Sequence, residues 1–277
     1  MTSLAKRVSN DIIERLKNND LIMPTLPEVA LQVREVAQDP FSSLSDLTHI
    51  IARDPALSAR LIKISNSPLM RAANPATDIQ AAVTRLGVTH TSSLATGLAM
   101  EQMFQATSEM IDKRLRHCWA HSLEIAASVQ VLAQHFTNLP SDQAMLAGLT
   151  HQIGMLPILA FAEEHNELLA DGISLDTVLD TLHCTLGAYI LREWKFSGEV
   201  VRAALEYRKW DRQIAASDLC DLVQVATLQS YADSNHPLSK IDRSQVGAFA
   251  RLGLASDAAQ QWQELEEQVI IMEAVLQ

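Results

Sequence analysis

AGLTHQIGML, residues 147–156, places one histidine, His151, in an apolar stretch without a charged residue. The uncharged run extends on both sides, over Gln143–Ala162, and predicts a helix buried in the core of an all-helical fold. A histidine in such surroundings can bind a metal ion, and a following Asp would be typical of a catalytic centre. The following residue here is Gln152, a neutral amide. The stretch therefore raises two alternatives, an enzyme or a helical scaffold that has lost its metal site.

The rest of the chain shows the same helical pattern. In Asp54–Ser67, Asp54 is a capping residue type and Pro55 suits the first turn of a helix. A second helix is predicted to begin after Asp78 and to end at Gly87. No stretch alternates polar and apolar residues for long enough to predict a strand. The sequence therefore predicts an all-α protein.

Helix length changes along the chain and suggests four parts. The first half reads as five or six short helices, and the second half as longer ones. Arg114–Phe136 predicts one long helix, and a single helix is expected to begin at Ser141 and to end near Pro157. The predicted parts are an N-terminal helix in 1–20, a helical subdomain in 21–110, a second subdomain in 111–235 and a C-terminal helical extension in 236–277.

The tail from Ser256 to Gln277 carries an apolar stripe with heptad-like spacing. The residues of the stripe are Ala258, Trp262, Leu265, Val269, Met272 and Leu276. We expect a final amphipathic helix that packs back on its own domain. A seam between two copies, giving a homo-oligomer, is the alternative.

Charge and cysteine usage limit the classes of partner and compartment. The chain has 22 Lys plus Arg against 33 Asp plus Glu, a formal charge of −11, and no basic run longer than a pair. This excludes the clustered basic surface typical of nucleic-acid binding. The three cysteines, Cys118, Cys184 and Cys220, form no close-spaced pair, and the N-terminus lacks a secretory apolar core. We therefore expect reduced thiols in a cytoplasmic protein.

The apolar run is long enough to cross a membrane but has the wrong composition. It contains Gln143, His151, Gln152 and Pro157, which lipid disfavours. We expect no membrane segment.

Six stretches together resemble the HDOD family, bacterial signalling domains related to the HD-type metal-dependent phosphohydrolases. The first half contributes LPEVALQV, IIARDPALSARLIKISNSP and AAVTRLGVTH; the second half contributes CWAHSLEIAASVQVLA, AGLTHQIGML and HCTLGAYILREW. The resemblance covers about Leu21 to Asp233. It implies an N-terminal helical subdomain packed on a degenerate HD-like subdomain. It also implies a non-catalytic regulatory role exercised through contacts with a signalling protein partner.

The resemblance also indicates which residues to test as metal ligands. HD phosphohydrolases use a His, a His-Asp pair and a late Asp, because carboxylates offset the charge of a buried divalent ion and the ion activates water. Gln229 is the best match to the late Asp, with Asp233 one turn later as the alternative. The matching positions are His121, His151, Gln152, His183 and Gln229.

This residue set predicts no metal and no catalytic residue. It has no certain carboxylate, and the chain has Tyr207 and Arg208 where some relatives have paired histidines. The histidines are expected to be neutral, hydrogen-bonded core residues. Three alternatives stay open: a single zinc ion on the three histidines, a phosphohydrolase acting on a nucleotide or cyclic dinucleotide, and a ligand sensor that uses the old cavity.

Other candidate residues have simpler explanations. His117 shares a helix face with His121 but is expected to be exposed. We expect at least two of Met100, Met103 and Met110 to fill the core. Trp194 and Trp210 either brace the second subdomain or form a patch for a partner. The chain has neither a glycine-rich phosphate loop nor a G-x-S-x-G motif.

Overall fold

The computed structural model describes residues 1–70, 74–232, 234–254 and 259–277, and its described residues form helices and turns without a strand. The prediction of an all-α fold is confirmed. The first helices are α1 (Ser3–Lys17), α2 (Glu28–Gln38), α3 (Leu44–Ile51), α4 (Pro55–Ser65), α5 (Ile79–Leu86) and α6 (Val88–Ala99). The later ones are α7 (Glu109–Phe136), α8 (Ser141–Thr150), α9 (Met155–Glu163), α10 (Asn166–Ala170), α11 (Gly172–Glu193), α12 (Gly198–Glu206), α13 (Leu219–Ser230), α14 (Gly247–Arg251) and α15 (Ala259–Leu276).

The predicted helix caps are present. The side chain of Asp54 accepts a hydrogen bond from the backbone N–H of Leu57 at 3.0 Å, and Pro55 begins α4. Asp78 caps α5 in the same way, and α5 ends at Gly87 with φ of 78°. That left-handed backbone conformation favours glycine, and it turns the chain directly into α6.

Helices α2 to α6 form the first layer. Helix α2 packs against α3 and α6, and α4 packs against α5. The apolar side chains of Val33, Leu47, Ile51, Leu61 and Leu94 are buried between them. This agrees with the five or six short helices expected in the first half.

The long helix α7 is the centre of the second layer. Helices α8, α13 and α15 all pack on it. Gly148 allows α8 to lie close to α7, because a Cβ at this position would be only 2.6 Å from the Cα of Ala126 on α7. The prediction of one helix over Arg114–Phe136 is confirmed, and α7 begins five residues earlier, at Glu109.

The predicted single helix after Ser141 is wrong. Helix α8 ends at Thr150, residues 151–154 form a turn, and α9 continues to Glu163, so Pro157 lies in its first turn. The cause is the contact of Gly154 with α11, where a Cβ would lie 1.9 Å from the carbonyl oxygen of His183. The combined segment is apolar enough to cross a membrane, but 89% of its most apolar window is buried inside the protein. It is therefore core.

The terminal helices pack on the rest of the fold, α1 on the second layer and α15 on both layers. Helix α1 lies on α11, where Thr2 and Ser174 share a hydrogen bond of 2.5 Å. Helix α15 packs on α7 and α4, and the Nζ of Lys63 donates to the carbonyl oxygen of Ala274 at 2.7 Å. The buried stripe residues of α15 are Leu265, Val269, Met272 and Leu276. The final helix thus packs on its own domain, as predicted, while Ser256 and Ala258 lie outside the described residues.

Candidate functional site

Three of the five predicted site residues bring their rings together. His121 comes from α7, His151 from the turn after α8 and His183 from α11. The ring centroids of His121 and His151 are 5.7 Å apart. Tyr207, the C-cap residue of α12, lies between His151 and His183. Its ring centroid is 4.9 Å from that of His151 and 5.6 Å from that of His183. We call these three histidines and Tyr207 the histidine cluster.

Backbone carbonyls set the tautomers of two of these histidines. The Nδ1 of His183 lies 2.6 Å from the carbonyl oxygen of Leu179, and the Nδ1 of His151 lies 2.6 Å from that of Gly148. A carbonyl can only accept, so each Nδ1 carries the hydrogen and each Nε2 keeps a lone pair. Metal-binding histidines are oriented in the same way. The cluster therefore keeps the orientation of a metal site.

Tyr207 occupies the lone pair that a metal would need. Its hydroxyl lies 2.6 Å from the Nε2 of His183, and since that nitrogen has only a lone pair, the hydroxyl donates. Tyr207 is completely buried, and it also hydrogen-bonds the side chain of Gln152. A phenol proton thus takes the place of a cation on His183.

Gln152 is held in a neutral hydrogen-bond network. Its amide oxygen accepts from the thiol of Cys118 at 3.3 Å. Burial raises the pKa of Cys118 to about 12, so this thiol stays protonated and can donate. The thiol also lies 3.6 Å from the sulfur of Met155. The amide thus joins α7 to the start of α9.

Burial keeps three members of the cluster, His151, His183 and Tyr207, neutral at physiological pH. It lowers the pKa of His183 to about 4, and it lowers the pKa of His151 well below its usual value. The charge of Arg208, paired with Asp180 at 3.6 Å, acts in the same direction on both histidines. Burial also raises the pKa of Tyr207 far above its usual value. Each group is thus kept in its uncharged form.

His121 has the longest Nδ1 hydrogen bond of the three histidines in the cluster. Its Nδ1 lies 3.3 Å from a carboxylate oxygen of Glu124, one turn along α7. Its ring packs 5.2 Å from that of Tyr231. The Nε2 atoms of His121 and His151 are both buried and have no hydrogen-bond partner among the described residues.

Gln229 does not join the histidine cluster. Its side-chain oxygen accepts from Arg243 at 3.1 Å, and it lines a separate groove of about 410 Å³ with Trp262 of α15. On the inner side of α13, Thr227 is buried with a hydroxyl that has no partner among the described residues. Asp233, the alternative predicted for this position, lies outside the described residues.

The residues present do not fit a catalytic metal centre. Within the described ranges, no group of three or more His, Cys, Asp or Glu side chains is arranged to hold a metal ion. Because Tyr207 uses the Nε2 of His183, His121 and His151 are the two histidines of the cluster whose Nε2 atoms have no partner among the described residues. Two neutral imidazoles and one amide cannot offset the charge of two divalent ions.

A cavity of about 730 Å³ lies beside the histidine cluster. His121 and Gln152 form part of its inner wall, and Tyr231 and His236 form part of its side. His117 is exposed, as predicted, and it also lines this cavity. The contributions of Tyr231 and His236 were missed by the sequence reasoning, because residues 231–236 carry no recognisable motif.

The other candidate residues have structural roles. Met100 is fully buried and Met103 is partly buried against the core, whereas Met110 is half exposed. The prediction that at least two of these methionines fill the core is confirmed. Trp194 and Trp210 are both partly buried against the core, so they brace the second subdomain.

The family model of the HDOD domain matches residues 23–209. The chain belongs to the HDOD family. Among solved structures, an HDOD domain protein with unknown function from Geobacter sulfurreducens is 19% identical and has a TM-score of 0.63, covering 99% of this chain and 96% of the other. At that identity the likeness shows the fold alone. The HDOD chain therefore has the architecture that its sequence resemblance implied.

A second solved structure is more similar to this HDOD chain. It is a protein from Shewanella amazonensis SB2B, described provisionally as a metal-dependent phosphohydrolase. It is 30% identical, has a TM-score of 0.88, and each chain is covered completely. An uncharacterized protein of Treponema pallidum (strain Nichols) is 24% identical, covering 82% of this chain and 46% of the other. The chain thus spans about half the length of that curated relative.

Proposed function

We propose that this HDOD chain is a non-catalytic regulatory module that acts in signalling by contacting another protein. The observation that carries the proposal is the bond from the Tyr207 hydroxyl to the Nε2 of His183. It places a hydroxyl proton where a cation would bind, on a nitrogen that is oriented as in metal-binding histidines. Since Gln152 supplies no negative charge, the chain keeps the scaffold of an HD site without its chemistry.

Metal analysis combined with turnover tests the non-catalytic part. Protein purified without chelator should contain only trace Mn, Fe and Zn, and its hydrolysis of bis(4-nitrophenyl) phosphate should equal that of a His151→Ala variant. A stoichiometric metal that disappears in His151→Ala, together with turnover, would establish a phosphohydrolase. That alternative takes its support from the description of the Shewanella protein.

A designed pair of variants tests the physical reason. Gln152→Asp combined with Tyr207→Phe adds one negative charge and frees the Nε2 of His183. We expect this protein to bind Zn²⁺ measurably more tightly than wild type, because a carboxylate and a free imidazole are good zinc ligands. Gln152→Asn combined with Tyr207→Phe frees the same nitrogen without the charge, and it should bind less zinc. Equal zinc binding by both would contradict the role assigned to charge.

Crosslinking tests the protein-contact part. Phe41, between α2 and α3, is 94% exposed, and aromatic residues are enriched at protein interfaces. A photoreactive amino acid at position 41 should crosslink to one partner protein, whereas the same group at the exposed Ile173 serves as the control. Binding of the purified partner should weaken in Phe41→Ser and not in Ile173→Ser. Equal effects would reject Phe41 as a contact.

We also infer a cytoplasmic location, and self-association through α15 stays a prediction.

The cavity beside the histidine cluster supports ligand sensing as a second candidate. Its volume of about 730 Å³ lies within the range of small-molecule sites. A ligand there would contact α7 and α11 together, and it could therefore couple to a protein-binding surface.

A further inference from the structure

We propose that the cavity beside the histidine cluster binds a small planar organic anion, with its aromatic ring inside and its carboxylate, sulfonate or phosphate at the mouth. The inference goes beyond contact with a protein partner, although it rests on the absence of a metal in the histidine cluster. A divalent ion at His121 would change the charge that the ligand meets.

The inner end of the cavity carries apolar surface beside His121 and Gln152. Met155, Leu159 and Leu179 supply aliphatic and thioether surface from α9 and α11. The thiol of Cys118 lies at the same end, and burial keeps it protonated. An apolar ring gains free energy by leaving water for such a surface, whereas a charged group would lose its hydration there.

One side of the cavity is an aromatic wall. The rings of Tyr231 and His236 are stacked, with centroids 3.9 Å apart and planes within 18°. The ring of His121 lies 5.2 Å from that of Tyr231 and continues the wall inward. Because stacked rings present a flat face or edge to their neighbours, this wall favours a planar ligand over a bulky aliphatic one.

Two basic residues, Lys113 and Arg114, and two acidic residues, Asp176 and Asp180, line the cavity, and Lys113 is the one of these four without an ion pair in the described part of the chain. Arg114 is paired with Asp176 at 2.6 Å, and Asp180 is paired with Arg208 at 3.6 Å. Lys113, one residue before Arg114, also lines the cavity and has no carboxylate partner in the described part of the chain. On a chain whose formal charge is −11, an unpaired ammonium at a cavity mouth selects for an anion.

Two fluorescent dyes of similar shape test the inference. The anionic probe is 8-anilinonaphthalene-1-sulfonate, and the neutral probe is N-phenyl-1-naphthylamine. Wild type should bind one molecule of the anionic dye per chain, and Lys113→Gln should weaken that binding about fivefold, the effect of one screened charge at close range. Binding of the neutral dye should not change. Lys17→Gln, which removes an exposed lysine of α1, is the matched control.

A second variant tests the aromatic wall independently of charge. The Nδ1 of His236 accepts a hydrogen bond from the backbone N–H of Leu238 at 3.2 Å. His236→Asn removes the ring but keeps a side-chain acceptor for that N–H. It should weaken both dyes by several-fold, because stacking does not depend on the sulfonate. Circular dichroism confirms that each variant is folded before titration.

The outcomes separate this inference from the proposed function. Non-saturable dye binding, or equal effects of Lys113→Gln and Lys17→Gln, would overturn the inference. The dye titration needs neither a metal nor a protein partner, so its failure leaves the metal analysis and the crosslinking unaffected. Conversely, a stoichiometric metal in the histidine cluster would reject the proposed function, and the dye titration would still show whether the cavity binds the anionic dye.

Discussion

Gly154→Ala should destabilise the protein strongly, because the added methyl group would collide with backbone. The new Cβ would lie 1.9 Å from the carbonyl oxygen of His183 and 2.4 Å from the backbone nitrogen of Gly187. A carbon and an oxygen in ordinary contact are about 3.3 Å apart, so α9 would have to move away from α11 by about 1.4 Å. Neither neighbour is a flexible side chain, so both helices must shift.

The size of the loss follows from packing. Overpacking a well-filled core typically costs about 1–3 kcal/mol, and contacts on rigid backbone belong at or above the upper end. We therefore expect Gly154→Ala to lower the free energy of unfolding by about 3 kcal/mol or more. The same shift would move the 151–154 turn, so the hydrogen bond from Tyr207 to His183 should also be disturbed.

Equilibrium unfolding in urea, followed by circular dichroism and tryptophan fluorescence, measures the effect. Gly198→Ala is the matched control, because Gly198 begins α12 and a Cβ there meets nothing within 4 Å. It should change stability by less than about 1 kcal/mol, in the stabilising direction given by helix propensity. If Gly154→Ala also stays within about 0.5 kcal/mol of wild type, the assigned close contact of α9 with α11 is refuted.

Three further predictions concern charge and the last helix. Burial lowers the folded-state pKa of His183 from 6.5 to about 4. The neutral histidine therefore contributes about 3 kcal/mol to the free energy of unfolding, and this contribution is fully present above pH 6.5 and is lost as pH falls through 4. Urea unfolding between pH 7 and 4 should show this loss, with a smaller slope in His183→Gln. Asp221→Asn should cost about 3 kcal/mol in the same assay, because the buried Asp221 pairs with both Arg212 and Arg251 at 2.7 Å, and an unchanged midpoint would contradict that. Arg60→Met should speed amide hydrogen exchange in α15 but not in α7, since Arg60 donates to the carbonyl oxygen of Leu276 at the end of α15.

The helix caps were predictable from the sequence, whereas the turn at 151–154 that interrupts the apolar helix was not. The caps at Asp54 and Asp78 depend on residues three positions away, so the sequence pattern contains everything they need. The turn at 151–154 depends on the carbonyl of His183 in a different helix, and no local pattern predicts it. A continuous helix was therefore the natural expectation for the apolar run.

The candidate site divides in the same way. His121, His151 and His183 were identified by resemblance, and the structure places them around Tyr207. Gln229 was expected with them, but it lies in another groove with Trp262, where its side-chain oxygen accepts a hydrogen bond from Arg243.

By itself, the sequence determined that the chain is helical, where many helices begin, and that position 152 carries no charge. Those properties depend on residue type and on hydrogen bonds within about one turn. Only the tertiary structure decided that the hydroxyl of Tyr207, which is 24 residues from His183, donates a hydrogen bond to that histidine's Nε2. Such a contact depends on how α11 and α12 pack, and packing sums many weak interactions across the whole fold. That contact occupies the lone pair with which the Nε2 of His183 could otherwise bind a cation.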